Sequence, residues 1–187
     1  MKEIGFIGLG NMGISMAKNL IENGFNLTGF DLNPQQLDTL KELGGTPVAT
    51  CKEVGEKADA VFIMVLSGAQ IKQALFGDSG LLASLKPGST IIVSATVHPS
   101  EIHELEQPIL DRGIHLVDTP VSGGKPGAEG GTLTLMTAAP QQVFDDIKPV
   151  LQAVGKNIFH VGEEVGLGQT VKASLQALIG STFTALF

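Results

Sequence analysis

The chain reads as an α/β protein built on a doubly wound, mostly parallel sheet, and three observations carry that reading. Short apolar runs alternate with amphipathic stretches from the first residues to about position 162. Several of those runs, above all Ala60-Val61-Phe62-Ile63-Met64-Val65-Leu66 and Thr90-Ile91-Ile92-Val93, are continuously apolar, as strands covered on both faces are. The opening strand, Ile4 to Ile7, runs into the turn Gly8-Leu9-Gly10-Asn11-Met12-Gly13 and then into a helical pattern from Ile14 to Ile21.

Each glycine of that turn has a physical task. Gly8 permits the sharp bend off the strand, Gly10 lacks the Cβ that would hold a pyrophosphate away from the backbone, and Gly13 lets the helix pack close to the strand. The free N–H groups at the helix start, with the positive end of its dipole, suit an anion. Such a turn alone is weak evidence, because glycines cluster in many loops. Its context strengthens it: after the segment Phe25 to Phe30 comes Asp31, eighteen residues beyond Gly13, where a carboxylate meets the adenosine ribose 2′-OH and repels a 2′-phosphate. Gly8, Leu9, Gly10, Asn11, Met12, Gly13 and Asp31 are therefore the expected cofactor-binding residues of a Rossmann-type domain, with NAD preferred over NADP. Val65 and Leu66 end the strand expected at the switch point of the sheet, and belong along the same cofactor.

The remaining elements follow in order. Gln35 to Leu43 reads as a helix with Leu37, Leu40 and Leu43 on one face, and Thr50 to Lys57 as another short helix. Ser67 caps a helix over Gln70 to Leu75. The strand Thr90 to Val93 ends in Ser94-Ala95-Thr96-Val97-His98-Pro99, and Pro99 to Arg112 forms a helix with Ile102, Leu105, Ile109 and Leu110 inward. Ile114 to Val117 is the next strand, leading into the turn-rich loop Asp118 to Gly124. Gly127 to Gly131 reads as irregular, Thr132 to Thr137 as a strand, Pro140 to Val150 as a helix and Asn157 to Val161 as a late strand. The sheet thus extends past the usual six strands.

Residues 1–162 form the expected dinucleotide-binding domain, and 163–187 the start of a long connecting helix opened by Gly166-Leu167-Gly168. That helix carries Leu175, Leu178, Ile179, Phe183 and Leu186 at helical spacing, and the sequence stops at Phe187 without a cap. An apolar stripe of that size needs a cover, so a helical C-terminal domain beyond the chain, or a partner copy in a homo-oligomer, is expected over it.

Bulk properties narrow the function classes. With 187 residues, 43% hydrophobic and 17% charged, the chain supports one core. A formal net charge of -7 and the lack of a Lys/Arg run argue against a nucleic-acid partner. A dinucleotide is still allowed, since a glycine loop holds phosphate through backbone N–H groups. One cysteine, Cys51, excludes an internal disulfide and a thiolate metal cage. No signal core or membrane span is evident, so a cytoplasmic protein with no membrane partner is expected. No metal is expected either, because the four histidines have no ligand spacing.

Four loops should converge at one edge of the sheet: the glycine turn, Val65 to Ser67, Ala95 to Pro99, and Asp118 to Gly124. Together with Gly166-x-Gly168-x-x-x-Lys172, Thr96, Pro99 and Gly131-Thr132-Leu133, they resemble the β-hydroxyacid dehydrogenases, the family of 3-hydroxyisobutyrate dehydrogenase and tartronate semialdehyde reductase. The resemblance covers the whole chain. It implies an oxidoreductase that moves a hydride between NAD(P) and a small 3-hydroxy acid, with Lys172 as general acid/base. It also implies that Ser122, Gly123 and Gly124 hold the substrate carboxylate, that Thr96 lies by the nicotinamide ribose, and that a helical C-terminal domain completes the site.

Gln176, one turn beyond Lys172, stands where many members of the family have Asn, and is expected to meet a substrate hydroxyl. Leu175 replaces a second amide often seen there, and Val93 stands where relatives often have Asp. These variants resemble the branch that oxidises four-carbon sugar acids such as L-threonate.

Rival readings remain open at this level. An imine reductase on the same scaffold should lack the lysine, and a 6-phosphogluconate-type dehydrogenase should add basic residues near Ser122, where Lys125 alone stands. A non-catalytic dinucleotide-binding assembly module would have no use for Lys172 and Ser122.

Overall fold

The structure, a computed structural model, describes residues 1–186; Phe187, where the sequence stops, lies outside them. Strands and helices alternate through most of the chain: β1 Glu3–Ile7, α1 Gly13–Glu22, β2 Asn26–Phe30, α2 Pro34–Glu42, β3 Thr46–Pro47, α3 Cys51–Lys57, β4 Ala60–Ile63, α4 Gly68–Phe76, β5 Thr90–Val93, α5 Pro99–Leu110 and β6 His115–Asp118. Then come β7 Val121–Ser122, α6 Gly124–Glu129, β8 Leu133–Ala138, α7 Gln141–Val154, β9 Gly155–Gly162 and α8 Leu167–Leu186. The strands form one sheet in the order β3-β2-β1-β4-β5-β6-β8-β7, with β9 also paired to β8.

From β3 to β6 all pairings are parallel. β1 has β2 on one side and β4 on the other, so the order reverses there and leaves a crevice at the carboxyl ends of the strands. β8 runs antiparallel to both β6 and β7, and β9 returns parallel to β8.

Period-two alternation in the central strands explains why helices cover both faces. In β4, Ala60 and Phe62 enter one apolar core with Met16 and Leu20 of α1 and with Phe144, Ile147 and Leu151 of α7. Val61 and Ile63 of the same strand enter the other core, with Val54 of α3, Ile71 of α4 and Ile102 of α5. A continuous apolar run is what such a two-sided strand requires.

Local chemistry places the helix starts. Ser67 Oγ accepts from the Gln70 N–H at 3.3 Å, and Thr50 Oγ1 from the Glu53 N–H at 3.2 Å. Asn33 accepts from the Gln35 N–H at 3.1 Å just before Pro34. His98 caps α5 in a capping box with Glu101, which accounts for this histidine without a ligand.

Several expected boundaries shift. The stretch Gly127 to Gly131 is not irregular throughout: α6 occupies Gly124–Glu129, its turns closed by bonds such as Gly127 N–H to the Gly123 carbonyl at 3.1 Å. Leu110 is not inward. It is 45% exposed, because Ile102, Leu105 and Ile109 define the buried stripe and Leu110 stands about 100° further round the helix. α7 runs past Val150 to Val154, through Pro149, because Val150, Leu151 and Val154 continue its buried face. In α2 only Leu40 is fully buried.

Along α8, Leu178, Ile179, Phe183 and Leu186 are exposed, in keeping with the apolar stripe in the sequence. Among the described residues, no helix is long and apolar enough to cross a membrane.

The Phe62 ring lies near the middle of the sheet, fully buried and stacked on Phe6 with centroids 5.4 Å apart. Phe62→Ala is expected to cost about 3–5 kcal/mol of stability, the usual range for deleting a core phenylalanine. Urea unfolding of the two proteins measures it, and a loss under about 1 kcal/mol would place Phe62 outside the core.

Candidate active site

The glycine turn joins β1 to α1 at very close range. Gly8 has φ 90°, and a Cβ there would strike the Met64 carbonyl oxygen, while one on Gly13 would strike the Gly8 carbonyl. A Cβ on Gly10 would meet nothing within 4 Å, so the backbone on that side faces open space. This is the approach a pyrophosphate needs.

Asp31, at the end of β2, is held by two backbone donors. Its Oδ2 accepts from the Leu9 N–H at 2.6 Å and its Oδ1 from the Asn33 N–H at 2.7 Å. The carboxylate is thereby fixed beside the turn, and its remaining lone pairs are available to a diol.

A cavity of about 600 Å³ opens from this point. Gly8, Gly10, Asn11, Asp31, Val65 and Leu66 line it, with Thr50, Cys51, Gln70 and Gln73 further along. Its size is that of a small-molecule site. Its wall is mostly apolar, with one fixed carboxylate and an exposed stretch of glycine backbone, which fits the adenosine and pyrophosphate part of a dinucleotide. Among the described residues, no lysine or arginine lines it. Leu9 contributes only its N–H, its side chain being fully buried in the core, and Met12 and Gly13 stand behind the turn.

The second group of expected residues lies at the same sheet edge but outside that cavity. Thr96 is exposed in the loop after β5, Ser122 is half-buried in β7 opposite Thr134, and Gly123, at φ 131°, makes the turn into α6. Lys172 is only 7% exposed near the start of α8. Burial pushes its ammonium below the ordinary lysine value, and among the described residues no carboxylate pairs with it. Gln176, one turn on, is exposed.

Asp118, at the end of β6, ties these pieces together. It is fully buried, and its Oδ2 accepts from the Gly166 N–H at 2.9 Å and the Gln169 N–H at 3.0 Å. Its Oδ1 accepts from Gln169 Nε2 at 2.8 Å. Burial raises its pKa, and the bonds from Gln169 and Gly166 oppose that rise. The start of α8 is thus anchored to the strand that leads to Ser122.

Sequence reading passes over Gln169 and the cavity wall at Thr50, Cys51, Gln70 and Gln73. For the wall a signal exists: these residues follow β3 and β4, parallel strands whose carboxyl ends lie on the same edge of the sheet as the crevice. Cys51 is buried and its thiol is pushed up to about 11 by that burial. His160 bonds the Ala139 carbonyl oxygen at 2.7 Å and stacks on Phe144. Among the described residues, no group of three His, Cys, Asp or Glu side chains is placed to hold a metal ion.

Comparison with known proteins finds relatives along nearly the whole chain. The chain is 37% identical to an L-threonate dehydrogenase of Escherichia coli (strain K12) over 178 residues, which are 95% of this chain and 59% of that protein. It is also 37% identical to a probable mitochondrial 3-hydroxyisobutyrate dehydrogenase of Dictyostelium discoideum over 185 residues, 99% of this chain and 57% of the other. The crystal structure of a 3-hydroxyisobutyrate dehydrogenase from Salmonella typhimurium superposes with a TM-score of 0.90 at 34% identity, covering 97% of this chain and 64% of that one. The chain therefore spans less than two thirds of the length of these relatives, and the resemblance read from its motifs is borne out.

The family described as the NAD binding domain of 6-phosphogluconate dehydrogenase matches residues 3–162, from β1 to the end of β9. With the glycine turn, the switch-point cavity and the fixed Asp31 all inside that span, the chain belongs to this family of nicotinamide-dinucleotide-binding domains.

Proposed function

We propose that the whole protein moves a hydride between NAD and a small 3-hydroxy acid, with a four-carbon sugar acid such as L-threonate as the first substrate to test. One observation carries this reading: a lysine with depressed basicity is buried at the same sheet edge as the cavity, though outside it, on a helix anchored to the segments that lead to Thr96 and Ser122. Bound NAD⁺ would supply the hydride acceptor.

The chain's own residues divide the remaining work. Neutral Lys172 accepts the hydroxyl proton as the substrate carbon gives up its hydride, and the ammonium returns that proton in the reverse direction. A lysine serves near neutral pH only when its pKa is lowered, and burial does that here. Ser122 and the turn at Gly123 and Gly124 receive the substrate carboxylate, Gln176 a hydroxyl, and Thr96 the nicotinamide ribose. Gly8 to Gly13, with Val65 and Leu66, hold the pyrophosphate side, and Asp31 the adenosine ribose.

The exposed apolar face of α8 fits a helical domain laid over it, through which copies of the protein associate. A cytoplasmic location suits the single free thiol. The rival readings fit less well. A non-catalytic assembly module does not call for a buried lysine, and Lys125 is the lone cation of the Ser122 loop, where a phosphosugar enzyme would add more.

Three outcomes follow. Isothermal titration should show NAD⁺ binding more tightly than NADP⁺, and Asp31→Ala should weaken NAD⁺ about tenfold, the loss of one charged hydrogen bond, with NADP⁺ little changed. Equal losses for both cofactors would remove Asp31 from this role.

NADH absorbance with a panel of 3-hydroxy acids should show turnover by the whole protein, and Lys172→Ala should lower kcat about 10²–10⁴-fold. Full activity in that variant would refute the acid/base assignment. The 187-residue chain itself should bind cofactor with little turnover.

Lys172 also gives a signed pH effect. Its folded pKa is below its unfolded value, so the unfolded chain holds more protons between the two, and this lysine's contribution to stability rises with pH in that window. Lys172→Met should therefore be more stable than the parent at neutral pH, with the gap closing as pH approaches the ordinary lysine value. Thermal melts across that range measure it, and a gap that widens with pH would contradict the burial argument.

A further inference from the structure

Gln169 is 1% exposed, yet its side-chain amide has every strong polar contact filled within the protein. Nε2 donates to the Ala95 carbonyl at 3.0 Å and to Asp118 Oδ1 at 2.8 Å, while Oε1 accepts from the Val97 N–H at 3.0 Å. The amide has a single workable orientation. If it were flipped, Nε2 would face the Val97 N–H, and Oε1 would face a carbonyl and a carboxylate oxygen at once.

The partners define what this contact does. The Ala95 carbonyl and the Val97 N–H belong to the two peptide groups on either side of Thr96, so one side chain grips both flanks of that residue. The third partner, Asp118, also accepts from the Gly166 and Gln169 N–H groups, which fixes the first turn of α8. Lys172 lies three residues beyond Gln169, one turn along that helix. A packing role alone would be met by methionine, which matches the volume and needs no partners.

We propose that Gln169, held by Asp118, is a positioning residue that sets Lys172 and the Thr96 loop in fixed register at the cofactor's reactive end. The inference rests on the reading of Lys172 as the acid/base. Reacting groups must be held to about half an ångström for that work, and loop 94–98 and α8 are joined here by side-chain hydrogen bonds rather than by a continuous strand or helix.

The test uses the 187-residue chain, with lysine side-chain NMR for the titration of Lys172, amide exchange at Val97, and the affinity for ADP-ribose as a control on the adenosine half. Three proteins are compared with the parent: Gln169→Met, Gln169→Asn, which is too short to span the gap, and the pair Asp118→Asn with Gln169→Glu. That pair keeps the total charge and exchanges the amide and the carboxylate between the two positions. The amide at position 118 can donate to the carboxylate at position 169 while the latter still accepts from Val97, but the carboxylate has no donor for the Ala95 carbonyl, so only the Asp118 and Val97 limbs of the clasp are rebuilt.

Gln169→Met and Gln169→Asn should move the Lys172 titration toward the ordinary lysine value and speed Val97 exchange at least about tenfold, one hydrogen bond's worth of protection. ADP-ribose affinity should stay within about twofold. The charge-keeping pair, which keeps the Val97 bond and loses the one to Ala95, should recover part of the Val97 protection lost in Gln169→Met. A depressed Lys172 titration that no variant moves refutes the clasp alone, as does loss of folding in all three variants, which would show a purely structural role. An ordinary titration in the parent chain refutes the acid/base reading first, and with it the purpose of the clasp.

Discussion

An ionised carboxylate without exposure to water costs several kcal/mol unless donors surround it, and Asp118 is in that position at the end of β6. Two of its donors are backbone N–H groups at the start of α8, and the third is the side chain of Gln169 on the same helix. The helix therefore cannot slide or rotate without exposing that cost. Downstream of Asp118 the chain is pinned as well: Thr119 Oγ1 meets Thr137 Oγ1 at 2.7 Å, and the Met136 N–H donates to the Pro120 carbonyl at 3.1 Å. Lys172, Ser122 and Thr96 come from elements far apart in the chain, and their common edge depends on this one buried anion.

The two halves of the candidate site differ in how complete they are. The half proposed for adenosine is a walled cavity between the glycine turn, Asp31 and the start of α3. The other half is an open edge where Thr96 and Gln176 face solvent. A deep, mostly apolar wall supplies binding without selecting a reaction. In the proposed function the edge carries the reactive chemistry, and its polar groups gain strength only where water is kept away. Lys172 already has part of that shelter from the packing of α8 against β8 and β6.

Much of this was legible in the sequence, and the boundary of legibility has physical causes. The glycine turn, Asp31 and the apolar runs can be read because each obeys a local rule, a turn geometry or a strand period. The two-residue strands β3 and β7 are too short to show any period. α6 is hidden because Gly124, Pro126 and Gly127 signal a loop, whereas its fold is settled by what packs around it, including the bond from Asn19 Nδ2 to the Ala128 carbonyl at 2.6 Å. Leu110 is misplaced when neighbouring apolar residues are treated as one face. Gln169 escapes notice because its contacts reach back more than seventy residues to Ala95 and Val97, and no spacing within the Gly166 to Lys172 motif encodes such a distance.

The wall of the cavity has a further property in Cys51. Its thiol is held near a pKa of about 11, so at physiological pH almost none of it is thiolate. Peroxides and alkylating agents attack the thiolate, and a protonated, shielded sulfur is a poor target for both. The lone cysteine is thus a poor nucleophile although it borders the cavity.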